Sequence, residues 1–307
     1  MKREIDYQAI LDTIAQTVAP LRFKGKVASY VPELAKVGPE RFGMAVHTVD
    51  GQRFQTGHAQ ERFSIQSISK LFTLVQAYAL RDEALWQRIG REPSGTPFDS
   101  LVQLELEHGI PRNPFINPGA LVVTDILCAH YALPILAIVD FVREVSKVPD
   151  VNINFRVAQS EAAHGFRNAA AAYLLKSFGN IDGAPEQVLE TYFQQCAIEM
   201  SCAELAAASL FAANHGSVPG GRTLLSPLQM RRINSIALTC GTYDAAGDFA
   251  CRIGLPTKSG VGGGIVAIVP GQMALCVWSP GLDRFGNSVA GAAALEHFAT
   301  LTGHAIF

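Results

Sequence analysis

No two cysteines of this chain stand in a C-x-x-C pair, no H-E-x-x-H occurs, and Lys and Arg form no run or stripe. The six cysteines, at 128, 196, 202, 240, 251 and 276, lie in apolar surroundings. They are expected to be buried thiols in a reducing compartment, with no disulfide framework. Glu161 and His164 sit three apart, but the second copy that a di-metal helix bundle needs is missing, so a metal centre is not expected. The basic footprint of a nucleic-acid binder is absent too: net charge is −2 and the sequence pI is about 6.4. No apolar run reaches the length of a membrane span; the longest, "YALPILAIVDFV", is interrupted by Pro134 and Asp140. The opening "MKREIDYQAILDTIAQTVAPL" mixes acids and bases before a helical spacing of Ile5, Ile10, Leu11, Ile14, Val18 and Leu21, unlike a signal peptide. A soluble cytoplasmic protein with a small neutral or zwitterionic partner is the expectation.

What is present is a large apolar fraction, 49% of 307 residues against 17% charged, enough for one big core. "RFGMAVHTVDGQRFQTG" reads as two short strands around a turn at Asp50–Gly51, and "GGGIVAIVPGQMALCVWSP" repeats that plan around Pro270–Gly271. "NSVAGAAALEHFATLTG" reads as a helix capped by Asn287 and stopped at Gly303. From 62 to 240 the pattern is helical, broken by loops such as "GIPRNPFINPGA", with strand signals nearly absent. The expected architecture is therefore a mixed α/β (α+β) single domain. Residues 1–61 and 241–307 form an antiparallel sheet flanked by N- and C-terminal helices, and 62–240 an inserted helical region.

The stretch "RFSIQSISKLFTLVQAYAL" places Lys70 one turn after Ser67 and then runs apolar. On a helix these two share a face. A serine needs a neighbouring base to become a nucleophile, and a lysine becomes one only when desolvation lowers its pKa from roughly 10.4. Ile65, Ile68, Leu71, Phe72 and Leu74 provide such surroundings, and the N–H groups of a helix N-terminus would stabilise an oxyanion beside Ser67. With 17 serines and 8 lysines in the chain, one such spacing is not rare by chance. A second signal joins it: "LPTKSGVGGGIV" sets Lys258-Ser259-Gly260 before a strand, where serine acyl-transfer enzymes of the β-lactamase and penicillin-binding class carry a Lys-Thr/Ser-Gly edge. By itself that stretch reads first as a glycine-rich turn into a hairpin, and only beside Ser67–Lys70 does it read as such an edge.

Polar residues inside apolar helical stretches complete the pattern: "NPFINPGA" with Asn117, "SEAAHGFRNAA" with Glu161 and Asn168, "ETYFQQCAIEM" with Tyr192 and "CGTYDAAGDF" with Tyr243. On residue type alone Asn117 could form an Asx turn, and Glu161, Arg167 and Asn168 an exposed face, a helix bringing 161 and 168 together after two turns. Tyr192, Tyr30 and Gln66 could be ordinary core-edge residues. Together with "GKVASYVPELAKV" and "SIQSISKLF", these segments resemble the serine-dependent glutaminases, in family order from about residue 24 to 300.

That resemblance implies a β-lactamase-like fold and hydrolysis of L-glutamine to L-glutamate and ammonia by way of a glutamyl-serine ester, with no metal or organic cofactor. It implies Ser67 as nucleophile, Lys70 as its base and Tyr243 as second acid/base. The N–H groups of Ser67 and Val261 would form the oxyanion hole, Asn117, Glu161, Asn168 and Tyr192 would hold the amino-acid end, and Tyr30 and Gln66 would complete the pocket. Glu161 suits an α-ammonium, while Asn117, Asn168 and Tyr192 suit an α-carboxylate. A homo-oligomer, dimer or tetramer, is implied as well. The competing readings are a β-lactamase-like serine esterase or peptidase, and a non-catalytic amino-acid sensor on the same scaffold.

Overall fold

The computed structural model describes residues 5–307. Its main sheet is antiparallel throughout, in the spatial order Arg53–Gly57, Gly43–Thr48, Met273–Trp278, Gly264–Val269 and Thr257–Ser259. The first hairpin supplies β1 (Gly43–Thr48) and β2 (Arg53–Gly57). Two very short strands, β3 (Phe63–Ser64) and β4 (Asn152–Ile153), flank β5 (Ile198–Met200) in a separate three-stranded sheet. The late strands are β6 (Thr257–Ser259), β7 (Gly264–Val269) and β8 (Met273–Trp278). Gly51 and Gly271 take positive φ, 95° and 77°, in the two expected hairpin turns.

The central strands are buried on both faces, and their period of two divides the side chains cleanly. Met44, Val46, Ile265, Ala267, Leu275 and Val277 face the helices Tyr7–Thr17 and Val289–Thr302 through Leu11, Ile14, Leu295 and Phe298. Ala45, Val266, Ile268, Ala274, Cys276 and Trp278 face the helical region. At the centre of that region lies the helix Ser69–Arg81, buried without interruption from Ser69 to Tyr78 and packed on the helix Asn117–His130. The helix is surrounded on all sides, so even its polar residues Ser69, Lys70, Thr73 and Gln76 are buried. Among the described residues no single helix is long and apolar enough to cross a membrane.

Four local expectations need correcting. Strand β5 and its short partners lie within the stretch read as helical, because two- and three-residue strands are too brief to show alternation. The last helix is capped by Ser288, whose Oγ accepts from Gly291 N at 3.1 Å; Asn287 instead donates to Thr242 O at 3.1 Å. The cysteines are all free thiols, but Cys251 is exposed and Cys128 only partly covered. Finally, Glu161 and Asn168 lie on two helices, Phe155–His164 and Phe166–Ser177, separated at Gly165. A β-carbon at Gly165 would lie 2.5 Å from Phe193 Cζ, so packing against Phe193 requires glycine there, and glycine weakens the helix.

Candidate active site

The chain enters the site along β3, and Ile65 N donates to Ile198 O at 2.9 Å. A 3₁₀ turn, Gln66–Ile68, then precedes the helix Ser69–Arg81, so Ser67 sits just before the helical N-terminus and Lys70 within its first turn. Gln66 holds φ +48°, a left-handed conformation that costs a non-glycine residue about 1–3 kcal/mol. It is pinned there: its Nε2 donates to Ser64 Oγ at 2.9 Å, and Ser64 Oγ donates to Cys196 O at 3.0 Å.

Lys70 is 1% exposed, and burial lowers its pKa to about 8. Its Nζ donates to Phe115 O at 3.1 Å and to Asn117 Oδ1 at 2.7 Å. Contacts between a nucleophile and its base commonly tighten only in the complex with substrate. The loop before Asn117 is shaped by a different asparagine. Asn113 Oδ1 accepts from Phe115 N at 3.0 Å and Ile116 N at 3.1 Å, which is the Asx turn the sequence allowed at Asn117. Asn117 is thereby left to the site. Gly119 allows the close approach, since a β-carbon there would fall 2.0 Å from Asn113 O.

A polar relay continues from Lys70. Asn117 Oδ1 also accepts from Tyr192 Oη at 3.2 Å, which orients the amide so that Asn117 Nδ2 donates to Asn168 Oδ1 at 2.8 Å. With its oxygen occupied, Asn168 is left with its NH₂ as the group to offer a ligand. Glu161 is 6% exposed, and its Oε2 is buried without a partner. Burial raises its pKa to about 7, while a Gln66 hydrogen bond and the Lys70 charge act the other way.

Tyr243 follows Gly241-Thr242 with φ +58°, a second strained residue beside the serine. Its hydroxyl donates to Ser259 O at 3.3 Å. Burial pushes its pKa up to about 12, and the adjacent Ser67 hydroxyl partly offsets this. Beyond β6 the chain turns through Gly260–Gly263, where Gly263 N donates to Gly260 O at 2.9 Å. The Gly260 carbonyl and the Val261 N–H share one trans peptide plane, so a carbonyl held inside the turn aims that N–H out of it. The turn lies against the serine: a β-carbon on Gly260 would fall 2.5 Å from Ile65 O and 3.2 Å from Ser67 N.

These elements enclose a cavity of about 330 Å³, at the small end of the range for ligand sites. Tyr30, Gln66, Ser67, Asn117, Glu161, Asn168, Tyr192 and Val261 line it, and Lys70 and Tyr243 are buried beside Ser67. Tyr30 is half exposed, at 54%, and therefore stands at the mouth. Phe98, Asp99 and Arg167 line the cavity as well, though residue type and spacing assign none of the three a role in the site. Phe98 packs on Tyr243 with ring centroids 4.8 Å apart, and Arg167 Nε pairs with Asp99 Oδ2 at 2.8 Å across the rim. The only signal available was Arg167, a charge beside Asn168 on a short polar segment.

A sequence-family model described as Glutaminase matches residues 25–307. The glutaminase of Paraburkholderia phytofirmans is 55% identical over 304 residues, covering 99% of this chain and 100% of the relative. That of Streptomyces coelicolor is 52% identical over 307 residues, covering 100% of both. Among solved structures, the probable glutaminase ybaS superposes with a TM-score of 0.92 at 34% identity, covering 98% of this chain and 97% of the other. A probable glutaminase from Bacillus subtilis, complexed with 6-diazo-5-oxo-L-norleucine, gives a TM-score of 0.88 at 29% identity, covering 100% and 98%. The fold is accordingly the β-lactamase-like one. Matched over nearly its whole length, with the motifs gathered around one cavity, the chain belongs to the glutaminase family.

Proposed function

We propose that this protein hydrolyses L-glutamine to L-glutamate and ammonia through an ester on Ser67. The observation that carries the reading is a cavity lined by Ser67, with two buried proton-handling groups, Lys70 and Tyr243, close by and an unpartnered carboxylate oxygen on Glu161. Lys70, with its pKa lowered to about 8, is a competent base at neutral pH. It takes the Ser67 proton as Oγ attacks the side-chain amide carbon, and the N–H groups of Ser67 and Val261 hold the oxyanion. Collapse expels nitrogen as ammonia with a proton from Tyr243, which the proton held on Lys70 then replaces. Water, deprotonated in its turn by Lys70, cleaves the ester and frees glutamate and Ser67.

The amino-acid end is assigned by charge. Glu161 Oε2 meets the α-ammonium, and the Asn168 amide meets the α-carboxylate. Asn117 and Tyr192 keep Asn168 turned the right way, Gln66 steadies Glu161 and Tyr30 closes the mouth. A ligand without either charged group leaves a buried polar atom unpaired, which favours the free amino acid over a peptide amide. Exposed Val102, Leu106, Phe166 and Tyr173 support a homo-oligomer, to be checked by light scattering, and the free thiols support a cytoplasmic location.

The test is ammonia release from glutamine by the wild type and by Ser67→Ala. Turnover should fall by at least about a thousandfold, as when a covalent nucleophile is removed, while glutamate binding stays within about tenfold. Comparable turnover in the variant would reject the covalent route.

A further inference from the structure

The helix that carries Lys70 buries a second polar side chain for which the reaction above has no use. Gln76 is 6% exposed, and it stands six residues on from Lys70, about 9 Å further along the axis. Its Nε2 reaches only Phe72 O, at 3.5 Å, and among the described residues no donor reaches its Oε1. An amide held inside a protein normally has partners for both ends, so a carbonyl oxygen left without one marks a place where something else is to bind.

That place is a cavity of about 240 Å³ which shares no lining residue with the active-site cavity. Its walls are apolar: Val75 and Leu80 come from the helix of Gln76, Ala137 and Phe141 from the helix Pro134–Ser146, and Leu224 from the loop that follows residue 213. Tyr131 adds a second ring beside Phe141. The charged groups at the wall are Arg222 and Glu144, and they neutralise each other. Arg222 Nε donates to Glu144 Oε1 at 2.6 Å and its Nη2 to Oε2 at 3.0 Å, a two-pronged pair with side chains 61% and 42% exposed, at the solvent edge.

These features select one kind of occupant. With the ion pair closed on itself, no net charge is left to hold an ion, and an anion would meet the lone acceptor of Gln76. A guanidinium fixed by a carboxylate fork offers its flat face to a π system, as do the two rings. A cavity of about 150 Å³ takes benzene, and drug-sized ligands need about 300 Å³ or more, so the space here suits two fused rings. We propose that this cavity is a second binding site, for a small planar aromatic molecule with one N–H or O–H donor, packed on Phe141, Tyr131 and Arg222 and hydrogen-bonded to Gln76 Oε1.

Indole and indene, which have nearly the same shape but differ in the N–H, test it by calorimetry on the full-length protein held saturated with glutamate. Indole should bind once per chain with a Kd on the order of 0.1 mM, as its nine heavy atoms allow. Indene should bind about two- to tenfold more weakly, the difference one hydrogen bond makes. Gln76→Leu keeps the wall and removes the acceptor, so it should erase the preference for indole while kcat for glutamine stays within about twofold. Ala79→Phe, which fills the cavity from its rim, should abolish binding of both. No binding by the wild type, a preference for indole that survives Gln76→Leu, or binding that Ala79→Phe leaves intact would overturn the inference. So would indole that appears only when glutamate is left out, since that places it in the active-site cavity. If Gln76→Leu does not fold, Gln76→Met makes the same comparison.

Discussion

Lys70 and Glu161 are both buried and feel each other's charge, yet they form no ion pair, and their surroundings differ in one respect. Burial drives both toward neutrality, the lysine down to about 8 and the carboxylate up to about 7. Lys70 is given acceptors, Phe115 O and Asn117 Oδ1, whereas Glu161 keeps one oxygen with none. A satisfied polar network orients its members, and an unsatisfied one at a cavity wall marks the place where a ligand must supply the missing group. The same desolvation thus tunes a base on the serine side and reserves a charge for a cation on the other.

Removing each partner separates these roles. Lys70→Met should lower kcat by roughly 10²- to 10⁴-fold, the range for a positioned general base. In the wild type kcat should climb with pH through about 8, as the amine loses its proton, and then level off. In the variant that rise is lost and the remnant grows steadily into alkali as hydroxide substitutes; an unchanged profile would take the base role from Lys70. Glu161→Gln should act on affinity instead. A hydrogen bond to a charged group contributes about 1.5–3 kcal/mol, so KM for glutamine should rise about ten- to a hundredfold while kcat changes less. A fall in kcat with KM unmoved would contradict that division.

The smallest effect is on stability. Glu161 has a folded pKa near 7, above its ordinary 4.5, so the stability it lends is complete below about pH 4.5 and drains away as pH rises to 7. For Lys70, about 8 when folded against 10.5, the native state binds fewer protons between those values, so stability rises with pH across that window. Melting at pH 7.5 should therefore show both variants equal to the wild type or a few degrees above it, with Glu161→Gln flattening the acid-side slope. A marked loss in either would mean that the site is a structural keystone and not a strained functional one.

Much of this was readable before any coordinates, and the gaps have physical causes. The hairpins at Asp50–Gly51 and Pro270–Gly271 and the Ser67–Lys70 turn are local, so residue type and spacing reveal them. Glu161 and Asn168 were paired for the wrong reason: the break at Gly165, forced by Phe193, is a tertiary contact that helical periodicity does not register. Strands β3, β4 and β5 are too short for alternation to appear. Lys258 is legible in the sequence only as part of the Lys-Ser-Gly run, and only the fold shows the Gly241 and Ser259 carbonyls that accept from its buried amine. The Phe98–Tyr243 and Asp99–Arg167 contacts join a loop to distant elements, and no local pattern encodes them.

The sheet has a seam where β1, residues Gly43–Thr48, lies against β8, residues Met273–Trp278. During synthesis the first hairpin leaves the ribosome long before its neighbour exists, so the inner edge of β1 stays open while the whole helical segment is made. A chain halted ahead of β8 presents a bare apolar ribbon to other chains and is prone to stick to them. Closing that seam is a late event in the life of each molecule, and only then is the turn at Val261 held beside Ser67.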